Sequence, residues 1–172
     1  MSEAGTPVPY LFSNAQVVVD EARKSVYVVY PTGTPDGRWD LVLATSKDSG
    51  AHWKRTKVND DAPCANHMTP SAALDPHTGR VHVIWTENRA GLGGDAYASC
   101  DPGGARCSAN ETVSDVPFAS YGFVRHSPRW LSEYGSLLFD AKKRALYAVW
   151  TQTVETRKGA AARIFHARAD VR

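Results

Sequence analysis

Helical periodicity is missing from this chain: no window of about 11 residues spaces its apolar side chains at 3.6. Long apolar runs are missing too. None approaches the roughly 18 residues that a membrane-spanning helix needs. The opening "MSEAGTPVPYLFSN" has no basic segment followed by an apolar one, the pattern of a secretory signal. Cysteine is scarce: Cys64, Cys100 and Cys107 are too few for a disulfide scaffold. Net charge is small at +2, and the basic runs "AKKR" and "TRK" are short and turn-like, which argues against nucleic acid as a partner. The expectation is a soluble protein away from membranes. Its compartment stays open: Met1 as the natural start favours the cytoplasm, and a longer parent chain favours secretion.

What the chain does have is turns, with 13 Gly and 10 Pro in 172 residues, and enough apolar residues (42%) to bury a core. Its charge is unevenly placed. Residues 1–120 hold 10 Lys/Arg against 14 Asp/Glu, a balance of −4, and residues 121–172 hold 10 against 4, a balance of +6. An uneven solvated surface accounts for this, and so does complementarity between copies meeting head to tail.

Three segments repeat one another: "VVVDEARKSVYVVYP" (17–31), "AALDPHTGRVHVIWTE" (72–87) and "LLFDAKKRALYAVWTQ" (137–152). Each is a strand-like run ending in aspartate, a polar turn and a second apolar run. Asp20, Asp75 and Asp140 are followed at the seventh position by Tyr27, His82 and Tyr147, and at the tenth by Tyr30, Trp85 and Trp150. The second half of the unit repeats as well. "WDLVLATSKDSG" is matched by "GDAYASCDPGG", with Ser46, Asp48 and Gly50 falling on Ser99, Asp101 and Gly103, and the third unit reads "ARIFHARADVR". Strands are expected near 14–20, 25–30, 39–46 and 53–58, then 69–75, 80–87, 95–99 and 107–114, then 134–140, 144–152 and 162–169. A hairpin around "DPGGAR" would bring Cys100 and Cys107 together, so a local disulfide and two free thiols are both open readings.

The spacing S-x-D-x-G-x-x-W in "SKDSGAHW" (46–53) has a physical reading as a tight turn. Asp48 accepts hydrogen bonds from backbone N–H groups, Gly50 supplies a positive φ, and Trp53 packs over the hairpin. That stretch resembles the Asp-box, or bacterial neuraminidase repeat, of sialidase-like β-propellers. "PSAALDPHTGRVHVIWTENR" and "WLSEYGSLLFDAKKRALYAVWTQ" are similar to the opening strands of their blades. The resemblance covers roughly residues 14–170 and implies an all-β partial propeller of about three four-stranded antiparallel blades, near 14–60, 69–115 and 132–172. It implies structural roles for Ser46, Asp48, Gly50, Trp53, Ser99, Asp101 and Gly103, since such boxes are peripheral turns shared by enzymes and binding proteins alike. The second box carries Arg106 where the tryptophan is expected, and a Cys100–Cys107 disulfide would stand in for the aromatic clasp.

About three blades leave two apolar faces to cover. A second copy, a related half-propeller from a partner, or the rest of a longer chain would each do it. An extended segment at residues 7–12 is placed to close the last blade, in the same copy or in a partner.

A sialidase needs three arginines, a tyrosine–glutamate pair and an aspartate. The Phe/Tyr-Arg-Ile-Pro motif expected of such enzymes is missing. Arg89, Arg125 and Arg129 exist, but Glu133 and Tyr134 are neighbours on a strand and point to opposite faces. Cys64 and His67 have a C-x-x-H spacing with His77 and His82 nearby, yet a closed zinc site wants four ligands and a second pair is not apparent. No metal, cofactor or catalytic residue is expected. Residues 116–130, "VPFASYGFVRHSPRW", form the long crossing that the repeat does not explain. Tyr121, Phe123, Arg125, His126, Arg129 and Trp130 there are the candidate ligand-binding residues, suited to a peptide or a sugar. The expected function is non-catalytic: a homodimerising half-propeller that binds a peptide or small ligand, with an exo-glycosidase completed between protomers and a lectin or structural module as alternatives.

Overall fold

The computed structural model describes residues 14–60, 65–89, 92–114, 135–157 and 159–171. Among these residues there is no helix, and eleven strands account for the regular structure. Strands β1 (Gln16–Asp20), β2 (Ser25–Gly33), β3 (Trp39–Ser46) and β4 (Lys54–Lys57) form one sheet in that order. Strands β5 (Ala65–Leu74), β6 (Val81–Arg89), β7 (Leu92–Cys100) and β8 (Glu111–Thr112) form the second. The third has the order β11-β10-β9, from β9 (Ser136–Asp140), β10 (Ala145–Thr156) and β11 (Gly159–Asp170). All neighbouring strands are antiparallel.

The hairpin that opens each sheet is set by one local device. Asp20 Oδ1 accepts from the Arg23 N–H, Asp75 Oδ1 from the His77 N–H, and Asp140 Oδ1 from the Lys142 and Lys143 N–H groups. Four residues after each aspartate the backbone turns left-handed, at Lys24 (φ 49°), Gly79 (φ 78°) and Arg144 (φ 49°). An Asx-type turn followed by one residue of positive φ reverses the chain with its polar groups satisfied.

The second sheet lies between the other two, so both of its faces are buried. On β6, Val81, Val83 and Trp85 point to the first sheet and join Tyr27, Val29, Leu41, Leu43 and Val58 in one core. The alternate residue Ile84, with Ala73 of β5, points the other way and joins Leu137, Leu146, Ala148 and Trp150 in a second core. A strand buried on both sides reads as a continuous apolar run, which is what "VHVIW" is.

The repeat fixes which way each ring points. At the seventh position after the turn aspartate, Tyr27 and His82 each face the following sheet: the Tyr27 hydroxyl accepts the Gly103 N–H, and His82 stacks on Phe139. At the tenth, Trp85 and Trp150 each face the preceding sheet. Carried to the ends, the same rule sends Tyr30 and Tyr147 to the two outer flanks.

Several boundaries differ from the sequence expectation: β7 begins at Leu92 rather than near 95, and β8 is only Glu111–Thr112 where 107–114 is expected. β5 begins at Ala65 rather than near 69, and it passes through a register shift between Met68 and Ser71 with Thr69 at φ 46°. Pro70 has no N–H for the ladder, and the bulge on this edge strand takes it out of register. The β10–β11 hairpin is paired through twelve residues on each strand, longer than expected.

Trp85 is only 1% exposed and fills the space between the first two sheets. Trp85→Ala is expected to cost about 3–5 kcal/mol, read from the urea midpoint and slope. A loss below about 1 kcal/mol would mean that this contact does not hold the sheets together.

Candidate functional site

The turn at 46–53 closes on itself. Ser46 Oγ donates to Asp48 Oδ1 (2.8 Å) and accepts the Gly50 N–H (2.8 Å). Asp48 Oδ1 also accepts the His52 N–H (2.9 Å), and Trp53 Nε1 donates to the Gly50 carbonyl (2.9 Å). Ser49 (φ 58°) and Gly50 (φ 94°) carry the left-handed backbone. These donors, led by the His52 backbone N–H, hold the Asp48 carboxyl down at about 2. Every polar atom of the aspartate serves the turn.

The matching turn after β7 is held differently. Cys100 and Cys107 are joined by a disulfide. Arg80 donates to Ser99 Oγ (3.0 Å) and to Asp101 Oδ1 (2.7 Å), so an arginine from the neighbouring hairpin grips the pair that in the first turn grips its own backbone. Gly104 (φ 63°) lies so close to the first sheet that a Cβ would fall on the Thr45 hydroxyl. Its carbonyl accepts from Thr56 Oγ1 (2.6 Å). The arginine clamp was not legible in the sequence, because Arg80 and Asp101 are 21 residues apart.

The histidines weighed as metal ligands go to separate places. His67 Nδ1 lies 2.8 Å from the Trp39 carbonyl, with its Nε2 3.8 Å from Glu87. His77 Nε2 donates to the Ala141 carbonyl (3.0 Å), and His82 is hydrogen-bonded to the Tyr97 hydroxyl (2.7 Å). Cys64 lies outside the described residues. Among the described residues no group of three His, Cys, Asp or Glu is placed to hold a metal. Tyr121, Phe123, Arg125, His126, Arg129 and Trp130 also lie outside the described residues, as do 7–12 and the Glu133–Tyr134 pair.

Between the second and third sheets runs a cleft of about 400 Å³, within the range of small-ligand sites. Its walls are apolar, with Tyr97 and Val113 on one side and Ala167, Ala169 and Val171 on the other; Glu111 and Asp170 also line it. One wall belongs to β11, an edge strand of the third sheet.

On the same face of β7 as Tyr97, two residues along, stands Asp95, 5% exposed. Its Oδ1 accepts from Thr86 Oγ1 (2.9 Å), its N–H donates to Ser114 Oγ (3.0 Å), and Oδ2 has no hydrogen-bond partner among the described residues. Burial pushes this carboxyl up to about 7, against the Thr86 hydrogen bond and helped by the Glu87 charge. A glycosidase would need a second carboxylate converging on it. Glu87 follows Thr86 on β6 and points to the opposite face of the sheet.

In sequence the chain matches no family model and no curated protein. In structure it is similar to the Hadza microbial sialidase Hz136, with a TM-score of 0.58 at 12% identity over 89% of this chain and 34% of the sialidase. It is similar to a thermostable family-43 glycoside hydrolase, with a TM-score of 0.52 at 14% identity over 91% of this chain and 50% of that one. A third likeness is to an N-acetylgalactosamine deacetylase from F. plautii, with a TM-score of 0.52 at 13% identity over 93% of this chain and 50% of the deacetylase. The fold is a partial, sialidase-like β-propeller. The chain spans between a third and a half of the length of these structures, and at such identities the likeness concerns the fold alone.

Two buried groups give this partial propeller a testable pH signature. Asp95, raised to about 7, keeps its proton in the folded chain after the unfolded carboxyl has ionised near 4, so between those values stability falls as pH rises. His82, brought down to about 4 by burial, refuses a proton that the unfolded imidazole takes below about 6.5. Its stability contribution therefore falls as pH drops. The two slopes, each about 1.4 kcal/mol per pH unit, oppose one another between about pH 4 and 6.5. His82→Phe is expected to leave a protein that weakens as pH rises across that window, and Asp95→Asn one that strengthens. Urea midpoints at about pH 4.5 and 6.5 decide it; unchanged profiles in both variants would refute the assignment.

Proposed function

We propose that the chain is a non-catalytic binding and assembly module, in which two copies close one ring and the cleft beside β11 holds an extended peptide or small apolar ligand. The observation that carries this reading is the outer face of the third sheet. Leu138, Val149 and Ile164 are 62%, 38% and 77% exposed. Counted from the turn aspartates and across the strand pairings, Leu138 matches Val18 and Ala73, Val149 matches Val29 and Ile84, and Ile164 matches Leu41. Those counterparts pack against the next sheet. At the other end Val17 and Val19, 65% and 53% exposed, match Ala72 and Leu74, which pack against the preceding sheet. Each flank carries the side chains of a sheet-to-sheet joint, and a two-fold pair of copies brings the first flank of one against the third flank of the other twice.

The ligand reading is supported by the edge of β11 and the apolar cleft under it, the combination that β-strand addition uses: main-chain hydrogen bonds for affinity and a cavity for alternate side chains. The chain's own residues 7–12, "PVPYLF", have the sequence pattern of such a strand. In an extended strand Pro7 and Pro9 would fall on one side, leaving the N–H groups of Val8, Tyr10 and Phe12 to pair on the other, and two prolines facing solvent would blunt the new edge.

Light scattering is expected to give about 38 kDa, twice the 18.8 kDa chain, and Ile164→Glu is expected to return it to a single copy. A monomeric parent protein would overturn the closure. For the cleft, a chain lacking residues 1–13 is expected to bind the synthetic peptide TPVPYLF, and Ala167→Trp to weaken that binding at least tenfold by filling the cavity. Equal affinity in the two proteins would remove the cleft from the reading.

A further inference from the structure

The first and second opening turns each hand a hydrogen-bond donor to the turn of the next sheet. Arg23, three residues after Asp20, pairs with that aspartate through Nη1 (3.1 Å) and donates to the carbonyls of Pro76 (3.4 Å) and His77 (3.2 Å). Gly79 lets it in, since a Cβ there would fall on the guanidinium. His77, two residues after Asp75, in turn donates to the Ala141 carbonyl. The acceptors lie one or two residues after the next aspartate in both cases.

The series stops at the third turn with a donor to spare. Lys143 is the counterpart of Arg23: three residues after Asp140, with Nζ 3.9 Å from Asp140 Oδ2 and 5.9 Å from the centre of the outward-facing Tyr147 ring. Its side chain is 65% exposed. At the first turn the counterparts of the acceptors are the carbonyls of Glu21 and Ala22, both on exposed residues, and Glu21 adds a carboxylate. Donor and charge at one end match acceptors and opposite charge at the other.

We infer that Lys143 of one copy staples the first turn of a second copy, donating to the Glu21 and Ala22 carbonyls as Arg23 donates to those of Pro76 and His77. This rests on the two-copy closure above and gives it a register. Each joint then carries Tyr147 facing the next sheet, as Tyr27 and His82 do, and Tyr30 facing the preceding one, as Trp85 and Trp150 do. The turn of one copy lies over the turn of the other, at the same end of the sheets as the two staples within the chain. Two such staples form in the pair, one at each joint. A staple of this kind favours head-to-tail sheet order, because a first turn meeting a first turn offers at the position of Lys143 only Arg23, already engaged within its own chain.

The test uses the full chain with Cys64→Ser, so that new cysteines are the reactive thiols beside the Cys100–Cys107 disulfide. Ala22→Cys and Lys143→Cys chains are prepared separately and treated with a short bismaleimide, alone and as an equimolar mixture. Covalent dimer is expected from the mixture and not from either chain alone. In parallel, Lys143→Glu is expected to raise the dimer dissociation constant about a hundredfold, about tenfold for the charge-assisted hydrogen bond lost at each of the two joints, and adding Glu21→Lys to recover most of it. A parent protein that is dimeric by light scattering but gives no mixture-specific product, with Lys143→Glu unchanged, overturns the staple and leaves the closure standing. Cross-linking of either chain with itself overturns it as well, by showing like turns in contact. A monomeric parent overturns the closure and the staple together.

Discussion

A sheet of short antiparallel strands in this chain has two apolar faces, and neither is stable in water. That constraint organises the rest. The second sheet satisfies it on both sides: Val81, Val83 and Trp85 of β6 are sealed by the first sheet and Ile84 by the third. Burial of a large side chain stabilises by a few kcal/mol, and several such residues line each joint. Among the described residues the first and third sheets satisfy it on one side only, and their outer faces carry at exposed positions apolar residues whose counterparts elsewhere in the repeat are buried or half-buried in a joint. Ile164 at 77% and its counterpart Leu41 at 0% differ in what lies over them and not in their place in the repeat.

Packing sheets face to face has a cost in polar groups. Asp95 occupies the position that Leu41 holds in the first sheet, and its burial with one oxygen unpartnered pushes its carboxyl up. His82 occupies the position of Tyr27 and is brought down for the same reason, stacked between Tyr97 and Phe139. The turns resolve their polar groups instead, by aspartates that accept backbone N–H groups. Between turns, Arg23, His77 and Arg80 tie neighbouring hairpins together. The joints are thus apolar in the middle and hydrogen-bonded at the turn end, which sets the order and register in which sheets meet.

How much of this the sequence carried depended on range. The hairpin turns were legible because aspartate and the left-handed residue four places on act within one loop; so was the turn at 46–53, where the side chains of Ser46, Asp48 and Trp53 make their hydrogen bonds within the turn. The ring positions were visible as a pattern, though their alternation between preceding and following sheet needed the stacking. The Pro70 bulge, the Arg80 grip on Asp101 and the contacts of His67 were not legible, since each joins residues whose nearness is made by the fold. Asp95 gave no signal: "GGDAYAS" offers nothing to mark a carboxylate that the packing of sheets buries.

The sequence by itself determined the strand class, the turns and the threefold recurrence, because alternation, Asx turns and positive φ are properties of a few consecutive residues. Only the tertiary structure decided which faces are core and which are flank, where the cleft opens, and which carboxyl and imidazole titrate away from their usual values. Those depend on what lies across the gap between sheets, and a residue's neighbours along the chain do not specify its neighbours across ten ångströms or so of packed side chains.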